Sequence, residues 1–234
     1  MTAILAVNSA EAKRLIQMLS PSKIRGIYHF SGFLQSKKVA LYLTHTGVPA
    51  LEQVRRFLRL YPFERIICVG TAAALSGNLA RFDAVLVDEF ISANKNLLRP
   101  HKSIPPSKTR IVSVQGLISN DLEKLSIAET YQAQLLDQEF YRLASILSEK
   151  EFSAMESVFL KIIDDVAGDG RYLEKEAQYR YFFAAPISLR KFPEFLSKIF
   201  NFGVLDYIEV LKRKRTLQMK LFENIKKRLS AKMG

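Results

Sequence analysis

The segment RIICVGTAAALSGNLARFDAVLVDEFIS, residues 65–92, contains two apolar runs joined by a stretch rich in small residues. The first run, RIICVG, predicts a buried strand that ends at Gly70, and FDAVLVDEFIS predicts a second strand. Because glycine has no Cβ, the backbone at Gly70 can approach a ligand closely. Thr71 then offers a hydroxyl and an amide to a ligand oxygen, although Thr71 as the N-cap of a following helix explains the same residue.

Apolar runs and amphipathic stretches alternate on both sides of this segment. The alternation predicts an α/β fold with a mixed, mostly parallel central sheet flanked by helices. Further strands are predicted at AILAV (3–7), GIYHFSGFL (26–34), KKVALYLTHTG (37–47), TRIVSVQG (109–116) and SVFLKII (157–163), and helices at AEAKRLIQML (10–19), PALEQVRRFLRLY (49–61) and EFYRLASILSEK (139–150).

Ligand sites in such sheets lie outside the carboxyl ends of the strands. We therefore expect the residues at several strand ends to gather near one rim, namely Gly47, Gly70–Thr71, Asp88–Glu89 and Asp164–Asp165.

The pattern changes after Gly168, where residues 168–234 read as helical. In the last predicted helix, Leu217, Leu221, Ile225 and Leu229 recur every four residues and form one apolar stripe. Because no Gly/Ser/Pro linker precedes this part, we expect it to pack on the sheet as an extended helical portion of a single domain spanning 1–234.

Composition narrows the class of protein. With 48% hydrophobic and 25% charged residues, the chain is typical of a folded soluble protein. A single cysteine and three scattered histidines exclude a disulfide framework and a thiolate metal cluster, so no metal site and no cofactor are expected. The N-terminal apolar run is too short for a secretion signal, and no run is long enough to span a membrane, so a cytoplasmic location is expected.

The formal net charge of +12 is concentrated near the C-terminus, in LKRKRTLQMKLFENIKKRLSAKMG. Such a cluster can bind nucleic acid or an anionic membrane. The solvated face of a terminal helix explains it as well, and this second interpretation is favoured because aromatic residues do not alternate with the basic ones.

Two acidic motifs are candidates for chemistry. Asp137 and Glu139 lie at the start of a predicted helix, where a carboxylate can accept hydrogen bonds from two sugar hydroxyls, or can simply complement the helix dipole. Asp164 and Asp165 follow an apolar run, and a carboxyl group there can protonate a leaving group if its pKa is raised by its surroundings. If the strand continues, the two side chains point to opposite faces, so one of them should face the site. Alternatively, both cap the next segment.

Four segments in order resemble the purine nucleoside phosphorylase and 5′-methylthioadenosine/S-adenosylhomocysteine nucleosidase superfamily. The similarity runs from about Ala3 to Ala167. VALYLTHTGVPALEQV is similar to the family's strand, glycine turn and helix, and residues 65–92 to its Gly-Ser/Thr-Ala-Gly-Gly-Leu turn followed by a strand ending in Asp-Glu. LLDQEFYRLASI is similar to the Val-Glu-Met-Glu segment, and FLKIIDDVAG to the Ile-Ser-Asp-Val-Ala-Asp segment. The fold implied is a three-layer α/β/α domain.

The resemblance implies roles for individual residues. Asp165 matches the acid that protonates purine N7, and Glu11 is the best match to the acid that activates water, after a shift of one residue or a small gap. The ribose would be bound by Glu139, Gln138 and Thr71, and the base by Leu117, Ile118 and Ala72.

The sequence also departs from the family at its glycines. Ala73 and Ala74 stand where the family usually has two glycines, and their methyl groups crowd a closely packed ligand. Pro49 removes an amide donor, Phe82 replaces another glycine, and Asp137 is shorter than the usual glutamate.

Three functions remain open at this point. The first is a nucleosidase-like hydrolase that cleaves the N-glycosidic bond of a purine nucleoside or thionucleoside, of the methylthioadenosine or S-adenosylhomocysteine type. The second is a phosphorylase, for which no arginine lies in a clear phosphate-binding motif. The third is a non-catalytic nucleoside-binding protein on the same fold. The resemblance implies a homodimer with a small-molecule nucleoside as its partner.

Overall fold

The computed structural model describes residues 1–7, 9, 12–44, 48–75, 77–99, 109–115, 118, 120–167 and 204–230. Its strands form one mixed sheet of eleven strands. These are β1 (Thr2–Ala6), β2 (Ser20–Ile24), β3 (Ile27–Leu34), β4 (Lys37–Leu43), β5 (Arg65–Ala74), β6 (Ala84–Val87), β7 (Glu89–Ser92), β8 (Leu97–Leu98), β9 (Arg110–Ser113), β10 (Leu135–Asp137) and β11 (Glu156–Val166).

The strand order is β2-β3-β4-β1-β5-β10-β9-β7-β8, with β11 paired to both β5 and β6. Strand β5 is central, because it pairs in parallel with β1 and along its whole length with β11. Its last residues pair with β10 in the antiparallel direction. The predicted mixed sheet is therefore confirmed.

Helices cover both faces of this sheet. They are α1 (Lys13–Met18), α2 (Val48–Leu58), α3 (Asp121–Tyr131), α4 (Phe140–Leu147) and α5 (Val204–Ser230). Helices α2 and α4 pack on a core cluster with Cys68 and Phe159, whereas α1 and α5 pack on a second cluster with Ile67 and Leu160. Because consecutive strand residues point to opposite faces, these clusters lie on the two sides of the sheet. The three-layer α/β/α prediction is confirmed.

Helix α5 confirms the predicted apolar stripe. Leu221, Ile225 and Leu229 are buried in the second cluster, and Leu217 packs against it. The remainder of the predicted helical region, residues 168–203 and 231–234, lies outside the described residues. In the part of the chain that the structure describes, no helix combines the length and apolarity that a membrane crossing needs.

Partner strands extend or divide three of the predicted strands. Strand β5 does not end at Gly70 but continues to Ala74, since β11 and then β10 supply hydrogen-bonding partners. Thr71 is therefore a strand residue, and its interpretation as a helix N-cap is wrong. The predicted strand FDAVLVDEFIS is divided at Asp88, because β6 pairs with β11 and β7 pairs with β9. Strand β11 continues through both acids to Val166.

Candidate active site

Asp165 lies at a β-bulge near the end of β11. Ile163 pairs with Ala72 of β5 and Asp165 pairs with Ala73, so Asp164 is an extra residue in the ladder. A bulge changes the direction of the side chains that follow it. The alternation that predicted opposite directions for the two acids is therefore interrupted at this position.

The two acids bind different helices. Lys124 of α3 donates a hydrogen bond from Nζ to Oδ2 of Asp165 over 2.6 Å. Arg213 of α5 binds Asp164, with 2.9 Å from Nε to Oδ1, and also donates to the Asp164 carbonyl oxygen. Each acid thus forms an ion pair with a cation from a distant part of the chain. The segment after Ala167 lies outside the described residues, so the interpretation that both acids cap it stays a prediction.

The Asp165–Lys124 pair is almost completely removed from solvent. Asp165 is 3% exposed and Lys124 is 0% exposed. Oδ1 of Asp165 is buried and has no hydrogen-bond partner among the described residues. An unsatisfied buried carboxylate oxygen is costly and rare, which marks this atom as a position where a ligand hydrogen can bind.

Helix α3 positions the Lys124 ammonium beside the Asp165 carboxylate. Asn120 caps the helix by accepting from the backbone N–H groups of Leu122 and Glu123. Lys124 lies one turn into the helix and also donates to Asp121 over 3.3 Å. The ammonium is therefore held between two carboxylates, one on its own helix and one on β11.

A second buried ion pair joins Asp137 of β10 to Lys161 of β11, with 2.7 Å between Nζ and Oδ2. Lys161 also donates to the carbonyl oxygen of Thr71 over 2.9 Å, and its ammonium lies 3.5 Å from the ring centroid of Phe140. Asp137 accepts from the Phe140 backbone N–H and from the Ser113 hydroxyl. This network links β5, β9, β10, β11 and the start of α4.

Glu139 lies between the residues that this network fixes. It is the N-cap residue of α4, and its carbonyl oxygen accepts from the N–H groups of Arg142 and Leu143. Glu139 is half-buried and Gln138 is exposed. Asp137 is buried in the ion pair with Lys161, so of the two acids in this motif it is not the one that can accept hydrogen bonds from a sugar.

The sheet register places the Gln138–Glu139 turn near Asp165. Leu136 and Asp165 both pair with Ala73, one from β10 and the other from β11. Two neighbouring strand spacings separate their backbones by about 10 Å. The turn that carries Glu139 begins two residues after Leu136, toward Thr71 because β10 runs antiparallel to β5, so both predicted site segments lie beside the last four residues of β5.

The structure describes three of the remaining predicted site residues and leaves two outside the described ranges. Thr71 is half-buried and Ala72 is buried in β5, where Ala72 pairs with Ile163. Ile118 is half-buried and, like Ala73, packs against a cluster that includes Leu136. Glu11 and Leu117 lie outside the described residues, so their roles stay predictions. Among the residues that are described, no group of three or more His, Cys, Asp or Glu side chains could hold a metal ion.

Comparison with solved structures supports the sequence resemblance. A putative 5′-methylthioadenosine/S-adenosylhomocysteine nucleosidase from Borrelia burgdorferi B31, bound to adenine, has a TM-score of 0.62 at 13% identity, over 76% of this chain and 92% of that one. A futalosine hydrolase mutant from Helicobacter pylori has a TM-score of 0.61 at 11% identity, over 75% and 90%. The Campylobacter jejuni 5′-methylthioadenosine/S-adenosylhomocysteine nucleosidase has a TM-score of 0.60 at 14% identity, over 71% and 86%.

This chain has the nucleosidase fold. The resemblance predicted from four short segments is thereby confirmed at the level of structure. No protein-family model matches the sequence, and no curated protein does. With identities this low, the comparisons establish the architecture and leave the substrate to be argued from the site.

Two lysines of this nucleosidase fold are missing from the sequence-based prediction. Lys161 interrupts the apolar run FLKII, and a lysine inside a buried strand requires a buried acid, so its position was a usable signal. Lys124 gave no comparable signal, because α3 has little difference in polarity between its faces. Its role depends on tertiary packing between α3 and the end of β11.

Proposed function

We propose that the protein is a nucleosidase-type hydrolase that cleaves the N-glycosidic bond of a purine nucleoside or thionucleoside. The observation that carries this proposal is the buried Asp165 carboxylate, which has Lys124 on one oxygen and no partner among the described residues on the other. Its place on β11 of a nucleosidase fold supports a role at the departing base. The strand end is also where ligands bind in open α/β sheets.

In this proposal, a water oxygen bonds to C1′ of the ribose as the bond from C1′ to N9 breaks. The bonding electron pair moves to the purine, and N7 gains one proton while the attacking water loses one. The Asp165–Lys124 pair contains one transferable proton and supplies it to N7 through the carboxyl group. Glu11 takes the proton of the water. General acid assistance of this kind is worth about 10²–10⁴ in rate.

The other predicted residues have supporting roles. Glu139 accepts hydrogen bonds from the ribose hydroxyls, with Gln138 and Thr71 beside the sugar. Leu117, Ile118 and Ala72 contact the base. The Asp137–Lys161 network supports this assignment because it fixes both Thr71 and the turn that carries Glu139.

The test is release of free base from a panel of purine nucleosides, with and without added phosphate. We expect release that does not depend on phosphate, and a decrease of about 10²–10⁴-fold for Asp165→Asn. Asp83→Asn is a matched control, because Asp83 caps a neighbouring loop through the Ala80 N–H. Undiminished release by Asp165→Asn would exclude this role, and a requirement for phosphate would indicate a phosphorylase.

The ion pair to Lys124 favours a second candidate, a protein that binds nucleosides without cleaving them. An ammonium 2.6 Å from Asp165 occupies one carboxylate oxygen, so that oxygen cannot carry the proton that the base needs. Calorimetric binding of a nucleoside that is recovered intact after prolonged incubation would support this candidate. Light scattering of the purified chain would test the proposed homodimer, and imaging of the tagged protein would test a cytoplasmic location.

A further inference from the structure

We propose that the site selects 6-oxopurines, such as hypoxanthine and guanine, over the 6-aminopurine adenine, and that Lys124 determines this choice. The inference rests on the proposed function in placing the base at Asp165. It goes further because it assigns the chemical class of the base from the hydrogen-bond donors and acceptors that Asp165 and Lys124 do not use for each other or for Asp121.

The capacity of the Asp165–Lys124 pair can be counted. A lysine ammonium has three N–H donors. Lys124 uses one for Asp165 and one for Asp121, so one donor is unused among the described residues. Asp165 uses Oδ2 for Lys124, and its buried Oδ1 has no hydrogen-bond partner among the described residues. The pair therefore has one N–H donor and one carboxylate acceptor that no described residue uses.

The edge of the base that carries N7 must complement this arrangement. A 6-oxopurine has two acceptors there, O6 and N7, whereas adenine has the N7 acceptor and the N6 amino donor. When N7 gains its proton, the 6-oxopurine edge becomes one donor beside one acceptor. N7–H then donates to Oδ1 of Asp165, and O6 accepts from Nζ of Lys124.

Adenine cannot satisfy the same pair. Its amino group at C6 directs a donor toward the Lys124 ammonium, which is also a donor and is positively charged. In a site where both side chains are buried, neither donor can turn to water, so the mismatch leaves polar groups unpaired. The O6 atom of a 6-oxopurine, in contrast, accepts a hydrogen bond from the N–H that Lys124 does not use for Asp165 or Asp121, so no polar group is left unpaired.

The test compares nucleosides that differ only at C6. The kcat/KM for base release is measured for inosine against adenosine and for 5′-methylthioinosine against 5′-methylthioadenosine. We expect the 6-oxopurine member to be preferred in both pairs by about 5- to 150-fold, which corresponds to one bidentate contact of about 1–3 kcal/mol. Equal rates, or a preference for adenine nucleosides, would overturn the inference while leaving the proposed hydrolase intact.

Substitution of the lysine tests the assignment to Lys124. Lys124→Met should remove the preference for the 6-oxopurine, and Lys124→Gln, which keeps an N–H donor, should retain part of it. Lys124→Met also leaves Asp165 without its cation, so circular dichroism must first show that each variant is folded. If Lys124→Met does not fold, Lys124→Gln decides the test. In folded Lys124→Gln, an unchanged ratio of kcat/KM for the 6-oxopurine over the 6-aminopurine nucleoside would contradict the assignment.

Binding of free bases separates this inference from the proposed function. Calorimetry on the unmodified protein should show tighter binding of hypoxanthine than of adenine, whether or not any nucleoside is cleaved. Tighter binding without base release would support the inference and contradict the hydrolase. Binding of neither base together with absent turnover would contradict both.

Discussion

Lys161 and Asp137 form an ion pair in the interior of the protein, with 2.7 Å between Nζ and Oδ2. Lys161 is fully buried in the middle of β11, and its ammonium also binds a backbone carbonyl of β5 and the ring face of Phe140. Removing two charges from water is costly, and this cost is offset when the remaining donors and acceptors are satisfied, as they are here. The pair thus holds the start of α4 to the centre of the sheet.

Replacing Lys161 with Met should destabilise the protein strongly. The Asp137 carboxylate would remain buried without its cation, and loss of one partner of a buried pair typically costs about 3–5 kcal/mol in the free energy of unfolding. Urea denaturation followed by circular dichroism gives this value. The double variant Asp137→Asn/Lys161→Met removes both charges and should recover much of the loss. A single variant as stable as the unmodified protein would show that the pair contributes little.

Glu139→Gln should weaken turnover through sugar binding. A carboxylate that accepts hydrogen bonds from ribose hydroxyls contributes about 1.5–3 kcal/mol, so we expect kcat/KM to fall by about 10- to 150-fold. Glu123→Gln, an exposed acid on α3, is the control and should have no effect on kcat/KM. The effect should disappear with a 2′,3′-dideoxynucleoside substrate. A loss of the same size with that substrate would contradict a role in ribose binding.

The thiol of Cys68 should be unreactive in the folded protein. Cys68 is buried in β5, and burial raises the pKa of its thiol well above the ordinary value despite the opposing effect of Lys161. The thiolate is the reactive form, so a raised pKa keeps the group protonated and inert through neutral and mildly alkaline pH. Reaction with a thiol reagent at pH 8 should be slow in buffer and fast in denaturant. Rapid labelling of the folded protein would show that β5 opens readily.

Ile225→Ala should destabilise the contact between α5 and the sheet. Ile225 is 0% exposed in the core cluster that also contains Ile67 and Leu160, and shortening a buried isoleucine to alanine costs about 2–5 kcal/mol. Met219→Ala on the same helix is the control, because Met219 is 43% exposed. Thermal unfolding should separate the two variants. Equal melting temperatures would indicate that α5 adds little to the stability of the domain.

Elements with strong local patterns could be predicted from the sequence. Strand β5 is buried along its length and α5 is buried along one face. Each type of burial requires a particular spacing of apolar residues, and that spacing is visible in the sequence. The three-residue strand β10 could not be predicted, because its pairing with both β5 and β9 is decided by distant parts of the chain.

The chemistry around Asp165 was predictable only in part. Its position after an apolar run pointed to a strand end, and the resemblance suggested a role. The bulge at Asp164 and the arrival of Lys124 depend on packing between α3, α5 and β11, for which the local sequence carries no period. The partner of a buried charge is determined by tertiary structure, so it cannot be predicted from one segment of sequence at a time.

The additional residue at the end of β11 has a consequence for the C-terminal helix. Because it directs consecutive acids to two helices, deleting Asp165 would leave the Lys124 ammonium with Asp121 alone, and deleting Asp164 would remove its ion pair with Arg213. Each deletion would therefore remove one of the ion pairs that join the end of β11 to a helix, to α3 through Asp165 or to α5 through Asp164. The ion pair that holds α5 and the ion pair of Asp165 with Lys124 are therefore linked by one peptide bond, the bond between Asp164 and Asp165.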